Sequence, residues 1–138
     1  MKDIELAIKV LEEEDLTMVA VRNGELIYKS REKGIKPMYT LATKMGNSIE
    51  GLSIADRVIG RGAAILCIYV GAKEVHGKLI SKMAMDLLKE GNIEYSYDNI
   101  CNYIKNRDGT DMCPIEKMAM DIEDPILLLD RIKKLLHL

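Results

Sequence analysis

The sequence predicts an α/β fold in which helices cover a mixed β-sheet. Two observations predict it. Runs whose apolar residues recur at helical spacing alternate with short β-branched runs along the chain. Two strand-like runs also flank Asn23-Gly24, the strongest short-range signal for a tight hairpin, so one strand pair is antiparallel. With 138 residues, no repeat and no linker-like stretch, residues 1–138 read as a single domain.

Ile4, Ala7, Ile8 and Leu11 share one face of a helix over residues 3–13, closed by the solvated acidic run Glu12-Glu13-Glu14-Asp15. Residues 16–22 and 25–29 are the hairpin strands. Gly34 and Pro37 punctuate a loop, and Pro37 suits the start of a short helix ending near Gly46. Ser53 fits an N-cap with Asp56 at N3, and a helix beginning there buries Ile54, Val58 and Ile59. Residues 64–70 read equally well as a buried helix or a buried strand.

Residues 73–77 fit a short strand. Ile80, Met83, Ala84, Leu87 and Leu88 then form a helical stripe ended by Gly91. Residues 93–97 are a further strand, and Asp98 suits the cap of a short helix carrying Ile100, Cys101 and Ile104. A polar loop over 105–112 leads to helices over 114–122 and from Pro125 onward. The last helix has Leu128, Leu129, Ile132, Leu135 and Leu136 on one face.

Composition excludes several classes of function. A net charge of −2 gives no general attraction to nucleic acid or to an anionic membrane. Aromatic residues are 4% of the chain and all are Tyr, too few for a base-stacking platform. The longest nearly apolar stretch, 62–72, is much shorter than the ~20 residues of a bilayer span. Met1-Lys2-Asp3-Ile4-Glu5 lacks the core of a signal peptide. Cys67, Cys101 and Cys113 have no paired spacing, which points to a reducing compartment. The expectation is a cytoplasmic protein.

Three segments carry a family likeness: Gly51-Leu52-Ser53-Ile54-Ala55-Asp56-Arg57-Val58-Ile59-Gly60, Asn106-Arg107-Asp108-Gly109-Thr110 and Cys113-Pro114-Ile115-Glu116. With the hairpin and residues 29–36, the turn Val70-Gly71-Ala72-Lys73-Glu74-Val75, and Tyr97-Asp98, they resemble a prokaryotic family, domain of unknown function 1893. The likeness runs from about Leu16 to the C-terminus. It implies a three-layer α/β/α, cytidine-deaminase-like fold: a mixed sheet with an N-terminal hairpin and helices on both faces. It also implies that residues 53–70 form one long central helix. The family brings no established reaction, and a fold does not supply one.

Zinc deaminases need H-x-E followed by P-C-x-x-C, because the metal takes three protein ligands and a Glu shuttles protons. Under the implied alignment those helix starts read Ile54-Ala55-Asp56 and Lys78-Leu79-Ile80-Ser81-Lys82-Met83. Neither supplies the ligands, His76 and His137 lie far apart, and no C-x-x-C occurs. The expectation is no metal and no cofactor.

Four other groups are candidates for chemistry. Asp56, at the start of the implied helix, would be ionised there and recognise a ligand beside Ser53 and Arg57. The alternatives are a capping acid and a solvated arginine. The loop Asn106, Arg107, Asp108, Gly109, Thr110 and Asp111 offers donors and acceptors to a ligand, or is a turn held by its own Asx hydrogen bonds. Cys113, before Pro114, fits a helix N-cap where the dipole favours a thiolate. It could act as nucleophile or sulfur carrier with Asp108 or Arg107 assisting, or be a half-buried cap. Residues 29–36 carry Lys29, Arg31, Lys33 and Lys36 against Glu32, either attracting a phosphorylated ligand or simply solvated.

Gly60-Arg61-Gly62 resembles a fragment of a dinucleotide loop, but inside a helix it is better explained by close packing. The reading that emerges is zinc-free binding of a nucleotide-like or other anionic small molecule through Ser53, Asp56, Arg57 and the 106–110 loop. No nucleic acid or membrane is involved, and a homo-oligomer is compatible. One alternative is a Cys113-dependent enzyme of group or sulfur transfer. Another is a structural or regulatory subunit, with Met83, Met85, Met118 and Met120 lining a partner surface or filling core gaps.

Overall fold

A computed structural model describes residues 1–138. Helix α1 (Asp3–Glu13) buries Ile4, Ala7 and Leu11, the stripe its spacing predicts. Strands β1 (Met18–Arg22) and β2 (Glu25–Ser30) follow. Asn23 and Gly24 both have positive φ, 50° and 76°, which a type I′ hairpin turn requires. Helix α2 (Lys36–Met45) starts with Pro37 in its first turn and ends at Gly46.

Residues 53–70 are not one helix. They form strand β3 (Leu52–Ile59) and helix α3 (Arg61–Tyr69), separated by Gly60 in an extended conformation. The cause is location. β3 is the middle strand, antiparallel to β1 and parallel to strand β4 (Ala72–Ser81). Leu52, Ser53, Ile54 and Ala55 are all fully buried, so both faces are covered and polar residues no longer mark alternate positions. The Ser53 cap with Asp56 at N3 therefore does not exist, and Val58 is exposed while Ile54 and Ile59 are buried.

Three further boundaries differ. Ile80 lies near the end of β4, which runs to Ser81, rather than opening a helix. Ser81 caps helix α4 (Lys82–Glu90), its Oγ accepting from Ala84 N–H at 3.2 Å. Strand β5 (Glu94–Cys101) continues through Asp98, which caps no helix; Ile100 and Cys101 pair with Ile80 and Ser81. β5 is an edge strand with its side chains mostly exposed, so its polar residues resemble a loop. Helix α5 (Pro114–Ala119) stops short of Ile122, and α6 (Pro125–Leu135) completes the chain, capped by Asp124.

The sheet order is β2-β1-β3-β4-β5, with β1 antiparallel to both neighbours and β3, β4 and β5 parallel. α1 packs on one face, where Ala7 and Leu11 meet Val19, Val21 and Ala55. On the other face a larger core joins Met38 and Leu41 of α2, Leu66 of α3, Leu88 of α4, Ala119 of α5 and Ile132 of α6. Each large side chain so buried contributes about 1.5–3 kcal/mol. The architecture is three layers, α/β/α. No helix is long and apolar enough to cross a membrane.

Candidate functional site

At the carboxyl end of β3 the backbone leaves the sheet for α3, and α2 also starts at this end. Between them opens a cavity of about 1010 Å³. Open α/β sheets bind ligands at such strand ends. Gly60 stands at the strand-to-helix junction, not inside a helix, and a Cβ there would fall 2.9 Å from both carboxylate oxygens of Glu116. Glu116 is buried. Its Oε1 accepts from Arg61 N–H at 2.6 Å and its Oε2 from Ile104 N–H at 2.7 Å. One carboxylate thus caps α3 and straps the 104–116 segment across the cavity.

The cavity brings together Asp56, Arg57, Asn106, Arg107, Asp108 and Cys113. Ser53, Gly109 and Thr110 do not line it. On a helix, positions 53 and 56 would share a face; on a strand they point to opposite faces. Ser53 therefore faces α1's side of the sheet, and Asp56 faces α3's side.

Asp56 is buried in a strand, not at a helix N-terminus, so the helix dipole expected to favour its ionised form is absent. Burial raises its carboxyl from 3.8 to about 7, against the opposing pull of the Val58 and Arg57 N–H groups and the Arg57 charge. Arg57 is already engaged. Its guanidinium pairs with Asp15 at 2.7 Å, and its Nε donates to Leu16 O at 2.6 Å. Asn106 is likewise spent locally, its Oδ1 accepting from Thr110 N–H at 3.1 Å in an Asx-type turn with Gly109 at φ 70°. Asp111 pairs with Lys117, which holds its carboxyl below the usual range.

Four other cations on the cavity wall lack a carboxylate partner: Arg31, Lys33, Lys105 and Arg107. Half of the basic stretch 29–36 thus lies at the site, while Lys29 pairs with Glu14 and Lys36 with Glu32. Ile35, Ile104 and Ile115 supply apolar wall. Cys113 is the N-cap of α5, as its place before Pro114 predicts, but that helix has only six residues. Sequence reasoning missed Lys105, Ile35 and the role of Glu116. The signal for Glu116 was ambiguous, because an acid three residues after a cap normally closes its own helix.

The donor set does not fit a catalytic zinc. Of the three helix starts opening on the cavity, Ile35-Lys36-Pro37 and Gly60-Arg61-Gly62 contain no ligand residue, and the α5 start offers Cys113 and Glu116, whose two oxygens are already taken by Arg61 and Ile104 N–H. The positions named from the sequence lie elsewhere, in β3 and at the β4–α4 junction. No three His, Cys, Asp or Glu side chains converge anywhere.

Comparison with known proteins agrees with the fold. The crystal structure of a DUF1893 family protein, TM1506 from Thermotoga maritima, superposes with a TM-score of 0.85 at 30% identity, covering 96% of this chain and 88% of that one. A dCMP deaminase from the cyanophage S-TIM5 superposes with a TM-score of 0.52 at 15% identity, covering 73% of this chain and 100% of that one; this likeness shows the cytidine-deaminase-like fold alone. No curated protein matches the sequence. The family model TM1506, domain of unknown function (DUF1893), matches residues 6–136, and the chain belongs to that family.

Proposed function

We propose that the cavity at the end of β3 binds a nucleotide-like or other anionic small molecule without a metal. The observation that carries this reading is the set of four unpaired cations, Arg31, Lys33, Lys105 and Arg107, around one cavity with apolar walls. The wall also carries Asp15, Asp56, Asp108 and Glu116, but none of them forms an ion pair with these four, so a bound anion offsets the repulsion among them. Asp56 at neutral pH is divided between its acid and its carboxylate, so it can donate to or accept from a base edge. The cyanophage relative acts on a pyrimidine nucleotide by its name, and a molecule of that class matches a wall of cations, isoleucines and the buried acid Asp56, the second buried acid, Glu116, being held by backbone N–H groups.

Ser53, Gly109 and Thr110 leave the proposed ligand set; Asp56, Arg107 and Asp108 stay. Cys113 and Asp108 share the cavity, so a Cys113-dependent transfer would use the same pocket, but no histidine lines it to serve as base. The reading includes a cytoplasmic setting, which three free thiols support. A thermal-shift screen of nucleoside mono- and diphosphates and sugar phosphates tests it. At least one phosphorylated compound should raise Tm saturably, and the double variant Lys105→Ala/Arg107→Ala should lose that shift. Equal stabilisation by unphosphorylated nucleosides, or none by any anion, would refute it.

A further inference from the structure

Ser53, excluded from the cavity above, is fully buried and its Oγ has no hydrogen-bond partner. Its backbone is paired on both edges, with Val21 of β1 and Glu74 of β4. A strand residue so paired meets a cavity through its side chain. The cavity it meets, of about 540 Å³, lies at the start of β3 by the N-terminus of α1. A buried hydroxyl without a partner is uncommon, and its cost is offset when a ligand supplies one.

The walls carry both signs of charge. On one side the first turn of α1, which carries Asp3 and Glu5, has no capping side chain, so its N–H groups are without a side-chain partner. Lys2, which makes no ion pair, stands beside it. Asp3 is committed elsewhere, its two oxygens accepting from Asn23 and Gly24 N–H at 2.9 Å each, and Lys73 approaches it at 3.8 Å. On the other side Glu74 and Glu94 sit directly opposite one another on β4 and β5, neither with an ion-pair partner. Like charges in that register weaken a sheet, and a cation between them removes the penalty. A simple anion would meet the two glutamates, and a simple cation would meet α1's end and Lys2. A molecule carrying both charges satisfies both walls.

We infer that this cavity binds a small amino-carboxylate, a free α-amino acid. Its carboxylate takes the first turn of α1 and Lys2, its ammonium lies between Glu74 and Glu94, and Ser53 Oγ hydrogen-bonds to it at the base. The volume is within the range of small-molecule sites. The site is independent of the anion cavity, which lies at the other end and on the other face of β3.

The test is a titration of the ¹⁵N-labelled full chain with individual L-amino acids at neutral pH, with propionate and ethylamine as single-charge controls. At least one amino acid should shift the amides of Ile4, Ser53, Glu74 and Glu94 saturably. Ser53→Ala should weaken that binding about tenfold or more while raising Tm, because the unpartnered hydroxyl is gone. Glu94→Gln should also weaken it about tenfold. The inference is overturned if no amino acid shifts these amides, if either control binds as tightly, or if Ser53→Ala binds undiminished.

Discussion

The Glu116 carboxylate occupies the space that a side chain on Gly60 would need, with both oxygens 2.9 Å from the Cβ position. Those oxygens hold Arg61 N–H and Ile104 N–H, so the approach sets where α3 begins and where the 104–116 segment lies. Gly60→Ala should cost about 1–3 kcal/mol by overpacking. Glu116→Ala, which leaves two amide donors without partners, should cost about 2–5 kcal/mol, and Glu116→Gln less. Urea denaturation measures all three. Wild-type stability for Gly60→Ala would mean that the segment yields freely and is no strap.

Asp56 predicts a pH dependence. The unfolded chain releases this proton near 3.8 and the folded chain near 7. Between those values the native state holds more protons, so stability falls as pH rises through the window. The full loss is on the order of 4 kcal/mol. Asp56→Asn should match the wild type at roughly pH 4 and exceed it at roughly pH 8, as the cited linkage requires. Parallel stability curves for the two proteins would contradict the burial of this acid.

The hairpin was legible because its signal is local: Asn23-Gly24 specifies both positive φ angles whatever packs around it. The same held for α1, whose stripe faces one side only. β3 was not legible. Its burial is imposed by β1 and β4 from distant parts of the chain, and a fully covered strand shows neither a period of two nor one of 3.6. That one error moved Ser53 and Asp56 onto a shared face and put Gly60 inside a helix. The grouping of Asp56 with residues 106–108 and Cys113 survives because the strand's end and the later loop meet at the same edge. Glu116 was hidden because its partners, Arg61 and Ile104, lie outside its own helix.

The three thiols should react in order. Cys113 is half-buried on the cavity wall, and iodoacetamide should reach it first. Burial, with Glu116 nearby, holds the Cys101 thiol above its ordinary range, so it should follow. Cys67 is fully buried beside Asp56 and held up further, so it should react only on unfolding. Mass spectrometry of timed samples gives the order. Early labelling of Cys67 would show that α3 does not pack as described.

Asp3 joins the hairpin turn to the start of α1 through two 2.9 Å hydrogen bonds from Asn23 and Gly24. Asp3→Ala should cost about 1–3 kcal/mol. Gly24→Ala should cost about 1–2 kcal/mol for forcing a side chain into the left-handed region. Combined, the two losses should fall short of their sum, since both act on one turn. Strict additivity in urea denaturation would show that the contact and the turn are uncoupled.

The most direct measurement is an amide-resolved NMR titration with the phosphorylated compound that raises Tm most. Saturable shifts at Gly34, Arg57, Arg107 and Ile115, abolished in the Lys105→Ala/Arg107→Ala variant, are the predicted result. Shifts confined to other surfaces, or unchanged in that variant, would contradict an anion pocket at the end of β3.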